Sequence, residues 1–462
     1  MKGENREVFS KTNGMFSDKK LNKDLLRLAL PTAFQSLMLS LVAAADAFML
    51  GTINQDAMGA VSLATQYQFV QNMFFFSITS AVAVLGAQYI GKKDMKSTDA
   101  VFALGLRLSA LFCFVWFLGC EFFPTQLMTV FTNEEELVQI GARYLKIAAW
   151  SYLLSGISQC YQCMIRNIGH ATTVASISSA TVILNIVLNA VFIYGVGLEE
   201  RGAALATTIS RIFELAVCII VSYLPKSIHP TLKGLIKRPA LLAKDYYRIL
   251  IPLSAGAILW TIGFSAYSAF MGHLGKDVVA ANSVAAVVRD IVCCLCNGLA
   301  SGAGIVIGYA LGKGDLERGK SMGIKLCKMS FVCGGISTVI MLIVTPILMQ
   351  FVKLTDLAKH YLFLFMLVLA FYMIGRSVNT IVINGIFAAG GDTLFDPVSL
   401  TVTMWFIAIP LAVLGTFVFN WPPVVVYAMT CLDEVGKIPW VMYHFRKYKW
   451  VKDLTREESE LR

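Results

Sequence analysis

The chain has 462 residues, 57% of them hydrophobic and 15% charged, with a mean hydropathy of +0.67. Soluble globular proteins carry about 25% charged residues, so the composition excludes a water-soluble globule. The net charge of +10 does not indicate nucleic acid, because the basic residues gather in short loops between long apolar runs.

The first stretch, Met1 to Lys23, is polar and charged and has no apolar core ahead of a small-residue cleavage site, so no cleaved signal peptide is expected. Crossing a hydrocarbon core of about 30 Å takes about 20 apolar residues. Twelve such runs follow, at about 25–50, 57–88, 99–123, 138–162, 171–197, 202–224, 246–272, 278–311, 324–350, 358–388, 395–419 and 424–445. The expected fold is therefore an all-α membrane protein. Lys92, Lys93 and Lys96, the cluster from Lys226 to Lys244, Lys313, Arg318 and Lys320, and Arg446 to Lys452 all fall in loops on one side. The opposite loops hold Glu134 to Glu136 and Glu199 to Arg201. This bias places both termini in the cytoplasm and the protein in the cell membrane.

Charges deep in a span are costly and usually face a cavity, a partner or a water path. In the first span Asp46 lies in an Ala-rich run with no cation in its own helix. It suits a group that takes up a proton or binds sodium, unless it lies near enough to the surface to stay wet. Asn185 and Asn189 lie four apart on one face of span five, either as oxygen ligands or as polar glue between helices. Thr207 in span six either joins them or bonds its own backbone.

In the second half, Arg289 and Asp290 lie about twelve residues into span eight and Arg376 deep in span ten. Adjacent helix residues point apart, so the expected pair is Asp290 with Arg376, serving either as a structural ion pair or as a cavity lining. Arg107, and Arg211 with Glu214, lie nearer helix ends, where snorkelling or local pairing is expected. Pro31 and Pro252 read as ordinary helix-start prolines. The eleven cysteines, mostly in apolar runs, read as small buried hydrophobes rather than metal ligands. The five histidines form no constellation, and no phosphate-cradling Gly-rich loop precedes a Lys-Ser or Lys-Thr. An enzyme, a catalytic or metal site and an ATP-driven pump are thus not expected. Energy should come from an ion gradient, with no cofactor beyond a coupling proton or sodium ion.

The two halves repeat each other. Lys23-Asp24, Arg27, Pro31, Gly51 and Gly91-Lys92-x-Asp94 recur 221 positions later (252 − 31) as Lys244-Asp245, Arg248, Pro252, Gly272 and Gly312-Lys313-x-Asp315. Six spans return the chain to its starting side, so the repeats are parallel. The expected organisation is an N-terminal segment 1–23, an N-lobe 24–225, a basic linker 226–245, a C-lobe 246–446 and a tail 447–462: twelve transmembrane helices in two pseudo-symmetric six-helix lobes.

Over about residues 23–447 the chain resembles the multidrug and toxic compound extrusion (MATE) family. The resemblance rests on Pro31 with Asp46-x-x-Met49-x-Gly51, on Ala87-Gln88-Tyr89-x-Gly91-Lys92-x-Asp94, on Arg166-Asn167-x-Gly169-His170-Ala171-Thr172, on Asn185 and Asn189, on Gly202 to Thr207, and on Gly308 to Asp315 and Ala389 to Thr393. It implies a V-shaped pair of lobes around a central cavity, exporting drugs or organic, cationic metabolites by antiport with protons or sodium, as a monomer in the bilayer. Asp46 falls on the family's first-helix carboxylate, which carries cation coupling; with Asn185, Asn189 and Thr207 it makes the expected coupling site. Asn189 stands where many members have Asp. Trp260 stands where one branch has a seventh-helix Glu, and Ser377 where that branch has a tenth-helix Asp. Tyr267 stands opposite Asp46 at the repeat offset (267 − 46 = 221). Trp260, Tyr267, Arg289, Asp290 and Arg376 make the expected substrate cavity. The alternative is a lipid-linked sugar or polysaccharide flippase of the same superfamily, which needs a strongly cationic cavity for a pyrophosphate.

Overall fold

In a computed structural model the chain is described over residues 19–51, 55–224, 228, 230, 240–352 and 354–457. The N-lobe comprises α1 (Lys19–Gly51), α2 (Gln55–Lys92), α3 (Met95–Phe122), α4 (Glu135–Asn167), α5 (Ala171–Gly195) and α6 (Glu199–Ser222). The C-lobe comprises α7 (Ala240–His273), α8 (Lys276–Gly312), α9 (Leu316–Phe351), α10 (Asp356–Phe387), α11 (Phe395–Val418) and α12. The last is built from three pieces, Pro423–Thr430, Leu432–Val435 and Ile438–Phe445. No strand occurs among the described residues. The two six-helix lobes of an all-α membrane protein are therefore the architecture. Large apolar side chains stay exposed on the outer faces, as in the α9 stripe Ile336, Val339, Ile343 and Ile347, whose spacing is that of one helix face turned to lipid.

The repeat is visible in the backbone. α3 and α9 begin 221 residues apart (316 − 95). Asp94 and Asp315 are the N-caps of α3 and α9, accepting from Ser97 N and Arg318 N at 3.0 and 3.1 Å. The residues before them, Lys93 (φ 67°) and Gly314 (φ 78°), both adopt the left-handed conformation that reverses the chain between spans. Glycine takes that shape freely; lysine holds it at a cost.

Three features depart from the sequence reading. Pro31 and Pro252 lie well inside α1 and α7 rather than at their starts, because both helices extend outward beyond the apolar runs that mark the spans. Each leaves the carbonyl four residues back, of Arg27 or Arg248, without its helical donor. Residues 240–245, the last part of the basic segment 226–245, are helical within α7. α12 is broken after Thr430 and again around Gly436 and Lys437, where the next piece opens with Pro439. Parts of α5, α10 and α11 are also π-helical, a local widening common at functional sites.

Contacts that join the lobes gather towards the end bearing Lys92 and Lys313. α8 lies against α1 through Gly298, where any Cβ would collide with the Ala29 carbonyl and Ala33. Tyr246 donates to Ile78 O at 2.9 Å, Gln88 Nε2 to Ala389 O at 2.7 Å, and the Tyr309 hydroxyl to Asn167 O. The tail crosses the same end: Leu454 N donates to Gln88 Oε1 at 2.7 Å, Lys92 pairs with Glu457 at 2.9 Å, and Arg456 Nη2 donates to Asp245 Oδ1 at 2.9 Å.

Candidate functional site

Two polar regions stand inside the spans. In the N-lobe, Asn189 Nδ2 donates to Asn185 Oδ1 at 3.2 Å, and Asn185 Nδ2 to Thr207 Oγ1 at 3.4 Å. The Thr207 hydroxyl donates back to Ala203 O at 3.0 Å. The structure thus brings these three expected residues into one hydrogen-bonded chain between α5 and α6. The Asp46 side chain lies outside the described residues; its helix packs against α5, and Tyr194 donates to Met49 O at 3.3 Å near its end.

A second N-lobe network was not expected on this scale. Glu214, 2% exposed, accepts from Arg211 at 2.6 Å, Gln162 at 2.6 Å and Ser158 at 3.1 Å. Gln35 Nε2 donates to Gln162 Oε1 and Ser178 Oγ, both at 2.9 Å, and Gln35 Oε1 accepts from Arg166 Nη2 at 3.1 Å. Arg166 Nη1 also lies 3.5 Å from Ser301 Oγ on α8. Local pairing of Arg211 with Glu214 is therefore correct but incomplete, since the carboxylate is also tied to α4. Arg107 does bond within its own helix, to Ala103 O at 3.3 Å.

Between the lobes lies a cavity of about 220 Å³ walled by Ser36 and Ser40 of α1, Trp260 and Phe264 of α7, Arg289, Asp290, Cys293, Cys294 and Asn297 of α8, and Tyr372 and Arg376 of α10. The Trp260 and Phe264 rings stack at 5.0 Å, one helical turn apart. The Arg289 guanidinium sits 5.0 Å above Phe264, and that of Arg376 5.9 Å above Trp260, within cation–π range. Four of the five expected cavity residues line this space. Tyr267 does not; it turns towards Asp433 on α12.

The expected ion pairing is corrected. Arg289 pairs with its own neighbour Asp290 at 2.9 Å, because its long side chain folds back to reach the carboxylate. Arg376 pairs with Glu434 on α12 at 2.7 Å. Asn379 Nδ2 fixes the same glutamate, at 2.6 Å from Oε2 and 2.7 Å from its carbonyl oxygen. The break in α12 makes this possible, since it turns Asp433, Glu434 and Lys437, all nearly fully buried, towards α10 and α11. The sequence reading passes over these three residues. Their signal is of the same kind as that of Asp46: charges inside an apolar run, here 424–445.

Comparison with known proteins fits this geometry. The MatE family profile matches residues 31–191 and again 252–414, once in each lobe. A probable multidrug resistance protein NorM of Thermotoga maritima is 23% identical over 95% of this chain and 95% of its own length. The multidrug and toxin extrusion protein 1 of Danio rerio is 26% identical over 67% of this chain and 52% of its own length. Among solved structures, a multidrug resistance MATE family transporter of the MOP superfamily, described in an outward-facing conformation, superposes with a TM-score of 0.84 at 17% identity, covering 93% of this chain and 97% of that one. A Pyrococcus furiosus transporter of the same superfamily gives 0.83 at 17% identity over the same shares.

Proposed function

Because the chain belongs to the MatE family of multidrug and toxic compound extrusion transporters, we propose that it is a secondary active exporter of drugs or organic cationic metabolites, driven by antiport with protons or sodium. The observation that carries this reading is the cavity between the lobes. Stacked Trp260 and Phe264 offer ring faces to a flat organic cation, and Asp290, whose side chain is 61% exposed, offers it a carboxylate. Serine, cysteine and asparagine walls add small adaptable contacts without imposing one shape.

The flippase alternative wants free cations for a pyrophosphate. Arg289 and Arg376 are each engaged by a carboxylate at hydrogen-bond distance, which favours the exporter. Coupling is assigned to Asp46 with Asn185, Asn189 and Thr207; the hydrogen-bonded chain of the last three supports this, because it presents amide and hydroxyl groups on helices packed against α1. The basic loops put both termini in the cytoplasm of a cell-membrane protein. The gathering of lobe contacts at that end supports reading this as an outward-facing state. One chain supplies both cavity walls, which supports a working monomer.

The test is accumulation of a fluorescent organic cation in a host stripped of its own exporters. Wild-type protein should lower accumulation, and collapsing either the proton or the sodium gradient should abolish the effect. Asp46→Asn should behave like the collapsed gradient while expressing normally. Export that persists without both gradients would overturn the antiport reading.

A further inference from the structure

Asp433 is 4% exposed, and its Oδ1 has no hydrogen-bond partner among the described residues. The Tyr267 hydroxyl, also buried, faces Asp433 from α7 without a well-formed hydrogen bond to it or to any other described residue. A buried carboxylate oxygen with no well-formed hydrogen bond is unusual, because an ionised acid would ordinarily draw a nearby donor in tightly. The groups that face it are Arg376 and Tyr372 on α10, Glu434 and Lys437 on α12 and Tyr267 on α7; Asp396 on α11 completes the cluster from the far side, facing Lys437, Glu434 and Arg376. Arg289 lies farther off, within reach of Tyr372.

With every group ionised, two cations (Arg376, Lys437) face three carboxylates (Asp396, Asp433, Glu434), leaving one negative charge inside the membrane. One proton removes it. Glu434 is not the acceptor, since Arg376 and Asn379 hold both its oxygens, and of the other two acids Asp396 is only half-buried whereas Asp433 is nearly fully buried with an unsatisfied oxygen. We propose that Asp433 on the broken twelfth span is a proton-binding site of the C-lobe, distinct from the first-span carboxylate. Protonation forms an O–H bond at one carboxyl oxygen, takes Asp433 from −1 to neutral, and supplies a donor for the Tyr267 oxygen; the proton comes from water in the cavity and returns to it.

The site reaches the cavity through one side chain. Arg376 lines the cavity and grips Glu434, the chain neighbour of Asp433. A cation entering beside Arg376 adds positive charge next to the acid and favours release of its proton. Proton and cationic substrate therefore weaken each other's binding, the reciprocal linkage antiport requires; this last step rests on the exporter reading, whereas the proton site does not.

Infrared difference spectroscopy of the purified full-length protein between acidic and alkaline buffer tests it. Wild type should show a protonated-carboxyl band that Asp46→Asn retains in part and Asp433→Asn loses a further share of. An unchanged band in a folded Asp433→Asn protein would overturn the proposal. Should that variant fail to fold, Lys437→Gln decides: removing the cation should make the band persist into more alkaline buffer, and no change would overturn the site. Adding tetraphenylphosphonium to wild type should shrink the Asp433 share. If it does not while Asp433→Asn still removes that share, the proton site stands and the cation-exporter reading falls.

Discussion

At the residue scale, burial decides which ion pairs matter. The Lys92–Glu457 pair has side chains 26% and 74% exposed, and such pairs contribute ~0–1 kcal/mol. Arg376–Glu434 is different, because Glu434 is 4% exposed and its carboxylate depends on Arg376 and Asn379. Removing one partner of a buried pair costs ~3–5 kcal/mol, whereas replacing both by apolar residues of similar volume is often close to neutral. Arg376→Ala should therefore lower thermal stability in detergent strongly, and Lys92→Ala hardly at all. Combining Arg376→Met with Glu434→Leu should recover much of the loss. Size-exclusion chromatography after a heat ramp measures all three, and a double variant as unstable as Arg376→Ala would show that the pair is not the source of the effect.

At the element scale, the α1–α8 seam sets how closely the lobes approach. Gly298 has the Ala29 carbonyl and Ala33 where a Cβ would stand, whereas Gly335 on α9 has open space. Overpacking a close contact costs ~1–3 kcal/mol, while Ala is favoured over Gly in a helix by ~1 kcal/mol. Gly298→Ala should destabilise the protein and Gly335→Ala should leave it unchanged or slightly more stable in the same heat ramp. Much at this scale is legible in the sequence, because apolar length and charged punctuation dictate spans and caps: the matched Asp94 and Asp315 cap equivalent helices. The cavity walls Arg289, Asp290 and Arg376 are legible for the same reason, as charged groups inside spans, and Trp260 through the family resemblance. What escapes depends on backbone breaks and long-range approach. The kinked α12 delivers Glu434 to Arg376 from 58 residues away, and Arg289 curls onto its neighbour; helical periodicity carries neither fact.

At the scale of the whole molecule, the tail after α12 is part of the closed end rather than a loose appendage. Trp450 is fully buried, stacked on Phe445 at 5.5 Å, and packed against Gly323 of α9. Beyond it the strap ties Gln88 and Lys92 of the N-lobe to Asp245 at the start of the C-lobe. In the exporter cycle proposed above this end must open, so the bonds from Gln88 and Lys92 to the tail must break once per cycle. Neutral hydrogen bonds contribute ~0.5–1.5 kcal/mol each, and 1.4 kcal/mol is a factor of about ten in a two-state population. Gln88→Ala leaves the buried Trp450 anchor intact and removes the bonds from α2 to Ala389 O and Leu454 N that cross between the lobes, so the fold should persist while the balance moves roughly tenfold towards the opposite-facing state. Spin labels placed on the far ends of α2 and α8, one in each lobe, should report shorter distances in the variant than in wild type. Identical distance distributions would mean that the seam of α1 and α8 alone holds the lobes together and that the strap follows their motion without biasing it.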